Sequence, residues 1–224
     1  VGDTNLSGLT GIDPRVHGTV VPGHPTIGLD QAAQECPTGR GDYRLPAVEV
    51  RRADGVTALD LRYASHRIDP GKPALADLPA TYVESAAEAD TLTITLRDAS
   101  SGVEVHLAYT QFRDHDAIAR SLLVVNGGSA AVDLISCASM ACDLPGRDLD
   151  LITLNGAWAR ENTQDRTALR PGLQAIGSRR GISAQNHSPA IVLAERTAGE
   201  EHGLVRGISL IYSGSFCIAV ELDA

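Results

Sequence analysis

The sequence predicts an all-β fold of antiparallel strands arranged as a sandwich. Three observations carry that prediction. The run Thr91-Leu92-Thr93-Ile94-Thr95-Leu96 alternates apolar and polar residues with period two, and its threonines suit a pleated, half-buried surface. Turn residues recur about every ten positions along most of the chain, the spacing of short strands in a sandwich rather than of strands alternating with crossover helices. Helical periodicity is nearly absent: only Leu29 to Ala33 and Ala76 to Ala89 could hold a turn or two, and both carry Pro or small residues in awkward places.

Taken in order, residues 1 to 46 are rich in Gly, Pro and Asp, and segments such as Val21-Pro22-Gly23-His24-Pro25 favour turn or extended backbone. They are expected to form an irregular arm. Ala47 to Arg52, the turn Ala53-Asp54-Gly55, and Val56 to Tyr63 read as a hairpin. The alternation at Thr91 resumes after the Asp98 to Gly102 turn in Val103-Glu104-Val105-His106-Leu107, with Tyr109 continuing the inward face, so these two strands should pair. Ile118 to Asn126 is apolar on both faces except at Arg120 and Ser121 and predicts a strand covered on both sides, turned back by Gly127-Gly128 into Ala130 to Ala138 at the centre of a sheet. Further strands are expected at Leu149 to Leu154, Pro189 to Ala194 and Gly203 to Glu221, the last broken near Ser213-Gly214.

Composition narrows the function. The 224 residues are 43% hydrophobic and 21% charged, enough for a sizeable core without disulfide or metal staples. A net charge of −9, with Lys72 the only lysine, repels a phosphate backbone and argues against nucleic acid. The longest apolar stretches, such as Ala190 to Ala194, are far shorter than the ~20 residues of a membrane helix, so no membrane partner is expected. Cys36, Cys137, Cys142 and Cys217 match neither a redox pair nor a zinc knuckle, and are expected to be reduced thiols in a cytoplasmic protein. The chain lacks an initiator Met and a secretory leader, which suggests processing or a start inside a longer protein.

Few residues look chemically equipped. Asp114-His115-Asp116 offers three metal-capable groups, but on an extended strand the carboxylates and the imidazole face opposite ways, and a solvated turn explains them better. His17 and His24 lack further ligands at useful spacing. Ser178-Arg179-Arg180-Gly181 could grip a carboxylate or phosphate, yet a structural ion pair or subunit contact accounts for it as well. No serine sits in a nucleophile elbow. Trp158, the only tryptophan, lies in Asn155-Gly156-Ala157-Trp158-Ala159-Arg160-Glu161, which is not a clean core strand. Its broad apolar face and N–H suit stacking on a sugar, although core packing remains the competing reading. Gly41-Asp42-Tyr43-Arg44-Leu45-Pro46 gathers an acid, an aromatic and a guanidinium just before the first strand.

Several segments form a recognisable set: Gly41 to Ala47, Asp60-Leu61-Arg62-Tyr63 with Ser65-His66-Arg67-Ile68, and Leu78-Pro79-Ala80-Thr81-Tyr82-Val83. Gly156 to Glu161, Leu169-Arg170-Pro171-Gly172-Leu173-Gln174, Ser178 to Gly181 and Gly207 to Gly214 follow. From about Asp42 onward the chain thereby resembles the N-terminal domain of bacterial α-galactosidases of glycoside hydrolase family 36. The resemblance implies an irregular arm over 1 to 46 and a large antiparallel β-supersandwich of the galactose-mutarotase type over 47 to 224. It also implies a catalytic (β/α)₈ barrel and a small C-terminal β domain beyond Ala224, outside this chain. Retaining enzymes of this kind use two carboxyl groups about 5 to 5.5 Å apart, expected at the C-terminal face of that barrel. No catalytic residue is therefore expected here, and the chain alone should not hydrolyse galactosides.

By the same resemblance, the chain contributes to oligomer assembly, commonly a tetramer, and to the rim of a pocket for galactosides of the melibiose and raffinose class. Asp42 would accept hydrogen bonds from sugar hydroxyls and Trp158 would stack on a sugar face, with galactose-containing oligosaccharide, the barrel and neighbouring subunits as partners and no cofactor or metal. Arg179 and Arg180 are expected in folding or interface contacts. Where the family often has Ser-Ser-His-Gln-His after Arg-Arg-Gly, this sequence reads Ser183-Ala184-Gln185-Asn186-His187, and Leu45 stands where an acid is common. A stand-alone carbohydrate-binding module and a scaffold with Trp158 in its core are the alternatives.

Overall fold

Alternating residues become strands in the computed structural model, which describes residues 45–144, 148–183 and 185–222. All strand pairs among the described residues are antiparallel, and the only helical element among them is a 3₁₀ turn at Ala86–Glu88, closed by a Ser85/Glu88 capping box. The all-β expectation holds. The irregular arm, with Asp42, His17, His24, Cys36 and the Leu29 to Ala33 turn, lies outside the described residues except for Leu45 and Pro46.

The chain divides into two compact units. In the first, β2 (Leu61–Pro70), β3 (Ala89–Asp98), β4 (Val103–Phe112) and β5 (Ile118–Asn126) form a sheet in that order, and β1 (Val48–Arg52) pairs with β6 (Val132–Cys137). Period-two alternation places Leu92, Ile94 and Leu96 of β3 and Val105, Leu107 and Tyr109 of β4 on one face, where they meet Val48 and Val50 of β1 in a single apolar cluster. Burial of that face holds the unit together, at about 25 cal/mol per Å² of apolar surface removed from water. Thr91 is buried too, and its hydroxyl is satisfied by the Gly71 carbonyl at 2.7 Å and the Thr110 hydroxyl at 2.8 Å.

Two expectations fail here. The stretch after Gly55 turns, with Arg52 N–H donating to Val56 O at 3.0 Å, but does not pair back as a hairpin: β1 pairs with β6 and the second strand begins only at Leu61, pairing with β3. Local turn chemistry was present, but the apolar face of β1 is buried by non-local partners. Likewise, among the described residues β5 is an edge strand paired only with β4, and neither it nor β6 is a sheet centre. Its second apolar face is exposed at Leu123, and Arg120 stacks 4.0 Å over the ring of Tyr109.

In the second unit, β7 (Leu149–Ala157), β8 (Arg160–Ala168), β10 (His187–Glu195) and β11 (Val205–Ser209) form a sheet ordered β11-β10-β7-β8. Strands β9 (Gly172–Ser178) and β12 (Phe216–Leu222) pair as a ribbon in contact with β10. Leu149, Leu151, Leu169, Ile191, Leu193, Ala194, Ala198 and Phe216 are its buried apolar residues among those described. Arg166 of β8 donates to Asp150 at 2.7 Å and to the carbonyls of Glu195, Arg196 and Ala198, fixing the loop that leaves β10. The polar strand β8 and the ribbon strand β9 carry no alternation that the sequence could announce, since β8 is exposed along its whole length.

Candidate functional site

The hairpin β7–β8 turns through two residues, Trp158 and Ala159, between the paired Ala157 and Arg160. Two-residue hairpin loops need left-handed backbone, and Ala159 supplies it at φ 61° without the freedom of glycine. Just below, one residue of β7, Gly156, faces two of β8, Glu161 and Asn162, in a β-bulge, with Asn162 also left-handed at φ 55°. Gly156 is there because the strands are too close for a side chain: a Cβ would collide with the Arg160 carbonyl and lie 2.9 Å from Glu161 Cα. The Ala159 N–H donates to Glu161 Oε1 at 2.8 Å and closes the tip.

The result is an indole held out into solvent, with Trp158 85% exposed. This overturns the reading of Trp158 as a core residue. A bulge bends and twists a ribbon, and here it aims the tip outward.

The start of β10 supports the hairpin base. His187 Nδ1 and Asn155 Oδ1 are 2.7 Å apart, the Gly156 N–H donates to Asn186 O at 3.3 Å, and Ser188 Oγ donates to Asn162 Oδ1 at 2.9 Å. Asn186 in turn accepts from Arg180 at 2.6 Å. The loop carrying Arg180 is tied down by Ser178 Oγ to Ile182 O, Gly181 N–H to Ser215 Oγ, and Ser183 N–H to Ser213 O. Arg180 therefore has the structural role expected of it, and its neighbour Arg179 is exposed. The His187 ring and Glu161 bond to an amide and to a backbone N–H, which suits support rather than proton transfer.

Other candidates separate from this end of the unit. Asp114, His115 and Asp116 are exposed in the turn between β4 and β5, and among the described residues no cluster of three His, Cys, Asp or Glu could hold a metal. Cys137 is an exposed free thiol whose partial desolvation by neighbouring atoms raises its pKa. No helix among the described residues is long and apolar enough to cross a membrane. Sequence reasoning found Trp158 but missed Asn155, Asn162, His187 and Ser188, because their roles depend on three strands meeting; the one local signal was Gly156 next to an Asn in an otherwise strand-like run.

A family model described as the glycosyl hydrolase family 36 N-terminal domain matches residues 12–224. Alpha-galactosidase AgaA of Geobacillus stearothermophilus is 45% identical over 90% of this chain, which corresponds to 28% of that protein. Alpha-galactosidase C of Emericella nidulans is 42% identical over 82% of this chain and 24% of its own length. The crystal structure of AgaA superposes with a TM-score of 0.81 over 83% of this chain and 26% of that one, and a variant of AgaA has been solved in complex with raffinose, at a TM-score of 0.80 and 46% identity over 81% of this chain and 25% of that one. The chain thus spans about a quarter of the length of the relatives it matches. With antiparallel sheets, matched segments and superposition agreeing, this chain belongs to the glycosyl hydrolase family 36 N-terminal domain family.

Proposed function

We propose that this chain, with residues 47 to 224 as its β-supersandwich domain, serves an α-galactosidase that removes terminal α-D-galactosyl residues from oligosaccharides of the melibiose and raffinose class. Its part is non-catalytic. The two carboxyl groups of the retaining reaction belong to a barrel domain in the same protein, and this domain contributes to the rim of the substrate pocket and to subunit assembly, as a homotetramer. Trp158 offers its indole to the apolar face of a sugar ring, and Asp42 accepts hydrogen bonds from sugar hydroxyls. The free Cys137 and Cys217 thiols favour a reducing, cytoplasmic location.

The observation that carries this reading is the exposed indole at a strained two-residue tip. An exposed indole leaves a broad apolar face that a sugar ring can cover. A sugar face and the indole together would remove roughly 100 Å² of apolar surface from water, worth at most about 2.5 kcal/mol. Ordering and polar desolvation reduce that to about 1 to 1.5 kcal/mol, or roughly a 5- to 12-fold change in KM. The test is Trp158→Ala in the full-length enzyme assayed on raffinose. A KM raised by about that factor with unchanged melting is expected, together with no product from the present chain alone. An unchanged KM rejects the stacking role.

A further inference from the structure

We infer that His187 and Ser188 are positioning residues for Trp158, gripping both strands of its hairpin from the neighbouring strand. This inference rests on the stacking role proposed for Trp158.

His187 pairs with Asn155, but the next paired residues are Ile191 and Thr153, so β10 spends three residues where β7 spends one. That excess lets the start of β10 swell out of the ladder and reach past β7 to β8. His187 bonds Asn155 on β7, while Ser188 bonds Asn162 on β8, and Asn186 completes the grip, its backbone carbonyl accepting from the Gly156 N–H and its side-chain oxygen from Arg180. The points gripped matter: Asn155 and Gly156 precede the turn, and Asn162 is the left-handed residue of the bulge that aims it.

The chemistry of the His187 contact is defined by its partner. Asn155 Nδ2 donates to Thr153 Oγ1 at 3.0 Å, which leaves Oδ1 facing the imidazole. An oxygen accepts, so His187 Nδ1 carries the hydrogen and donates it. An asparagine amide, whose Nδ2 stands where the imidazole Nδ1 does, can make the same donation, and alanine cannot. Neither His187 nor Ser188 need touch the sugar; each acts through the backbone that carries the indole. A flexible two-residue tip without this grip would sample many directions, and binding would then bear the entropy of choosing one.

Because Trp158 is the only tryptophan, its fluorescence reports the tip without interference. The experiment compares wild type, His187→Ala, His187→Asn, Ser188→Ala and the His187→Ala/Ser188→Ala double variant in the full-length enzyme for kinetics on raffinose, and in this chain for time-resolved Trp158 anisotropy. Expected is a KM about 3- to 5-fold higher in His187→Ala and higher again in the double variant, with kcat within about two-fold, the signature of lost uniform binding. Faster indole depolarisation should accompany it, with recovery of both in His187→Asn. A merely structural role would lower stability without this split or rescue. Should His187→Ala fail to fold, Ser188→Ala and His187→Asn still decide, since the first should loosen the tip and the second should not. If Trp158→Ala raises KM while the double variant leaves KM and anisotropy at wild-type values, the positioning role is wrong. If Trp158→Ala leaves KM unchanged, the stacking role fails, and loss of anisotropy alone then tells whether the grip exists.

Discussion

Asp98 gives the most quantitative test of how the first unit is held together. It ends β3, is 1% exposed, and its carboxylate accepts from Ser100 N–H at 2.8 Å, Ser100 Oγ at 2.9 Å and Ser101 Oγ at 3.0 Å, closing the turn into β4. Burial pushes its carboxyl up, but the hydrogen bonds from Ser100 and Ser101 outweigh burial and hold it below the usual aspartate value. A hydrogen bond to a charged group contributes about 1.5 to 3 kcal/mol, and freed serine hydroxyls near the surface recover much of theirs from water. Asp98→Ala should therefore cost about 2 to 3 kcal/mol, and Asp98→Asn about 1 to 2 kcal/mol. With two compact units a single global transition is a poor measure, so the assay is amide exchange in β3 and β4. A loss of about 2 kcal/mol speeds exchange of the Val103 to Leu107 amides roughly 30-fold at pH 7. The sign with pH follows from the lowered pKa: the charged carboxylate stabilises fully above the unfolded value of about 3.9 and loses its advantage as pH falls through the lower folded value. The gap between wild type and Asp98→Asn should therefore narrow below about pH 4. Equal exchange in all three proteins at pH 7, or a gap that widens in acid, would refute the reasoning.

Two further tests concern the second unit. Gly156→Ala places a Cβ against the Arg160 carbonyl, and the strands must part; about 1 to 3 kcal/mol of local destabilisation and a shifted Trp158 emission are expected by exchange and fluorescence. Arg166→Lys replaces a fork that bonds Asp150 and three loop carbonyls with one ammonium group, and about 1 to 2 kcal/mol of lost protection across Glu195 to Leu204 should appear by amide exchange, with β3 and β4 unchanged.

How much of this was legible depends on how local each interaction is. The β3–β4 hairpin could be read directly, because Leu92, Ile94 and Leu96 and Val105, Leu107 and Tyr109 alternate with the strand period and Asp98 to Gly102 supplies the turn. The pairing of β1 could not. Its neighbour in sequence offered a turn at Gly55, whereas its partner β6 lies some eighty residues away, and nothing local distinguishes the two. Strand β8 escaped notice because an exposed, polar strand has no apolar period to detect. At the candidate site, Trp158 stood out as the sole indole in a stretch that is not core-like, but its exposure was undecided between a buried and a solvent-facing reading. Asp42 lies outside the described residues.

By itself, the sequence determined the all-β class, the principal hairpin, and a family resemblance carried by segments spread along the chain. Each of these rests on composition or on neighbours within a few positions. Tertiary structure alone decided that β1 joins β6, that β5 lies at an edge, and that Trp158 faces water on a bulged hairpin steadied by His187 and Ser188. Those outcomes depend on strands distant in sequence burying one another's faces and satisfying one another's polar groups, and no local pattern encodes which distant partner does so.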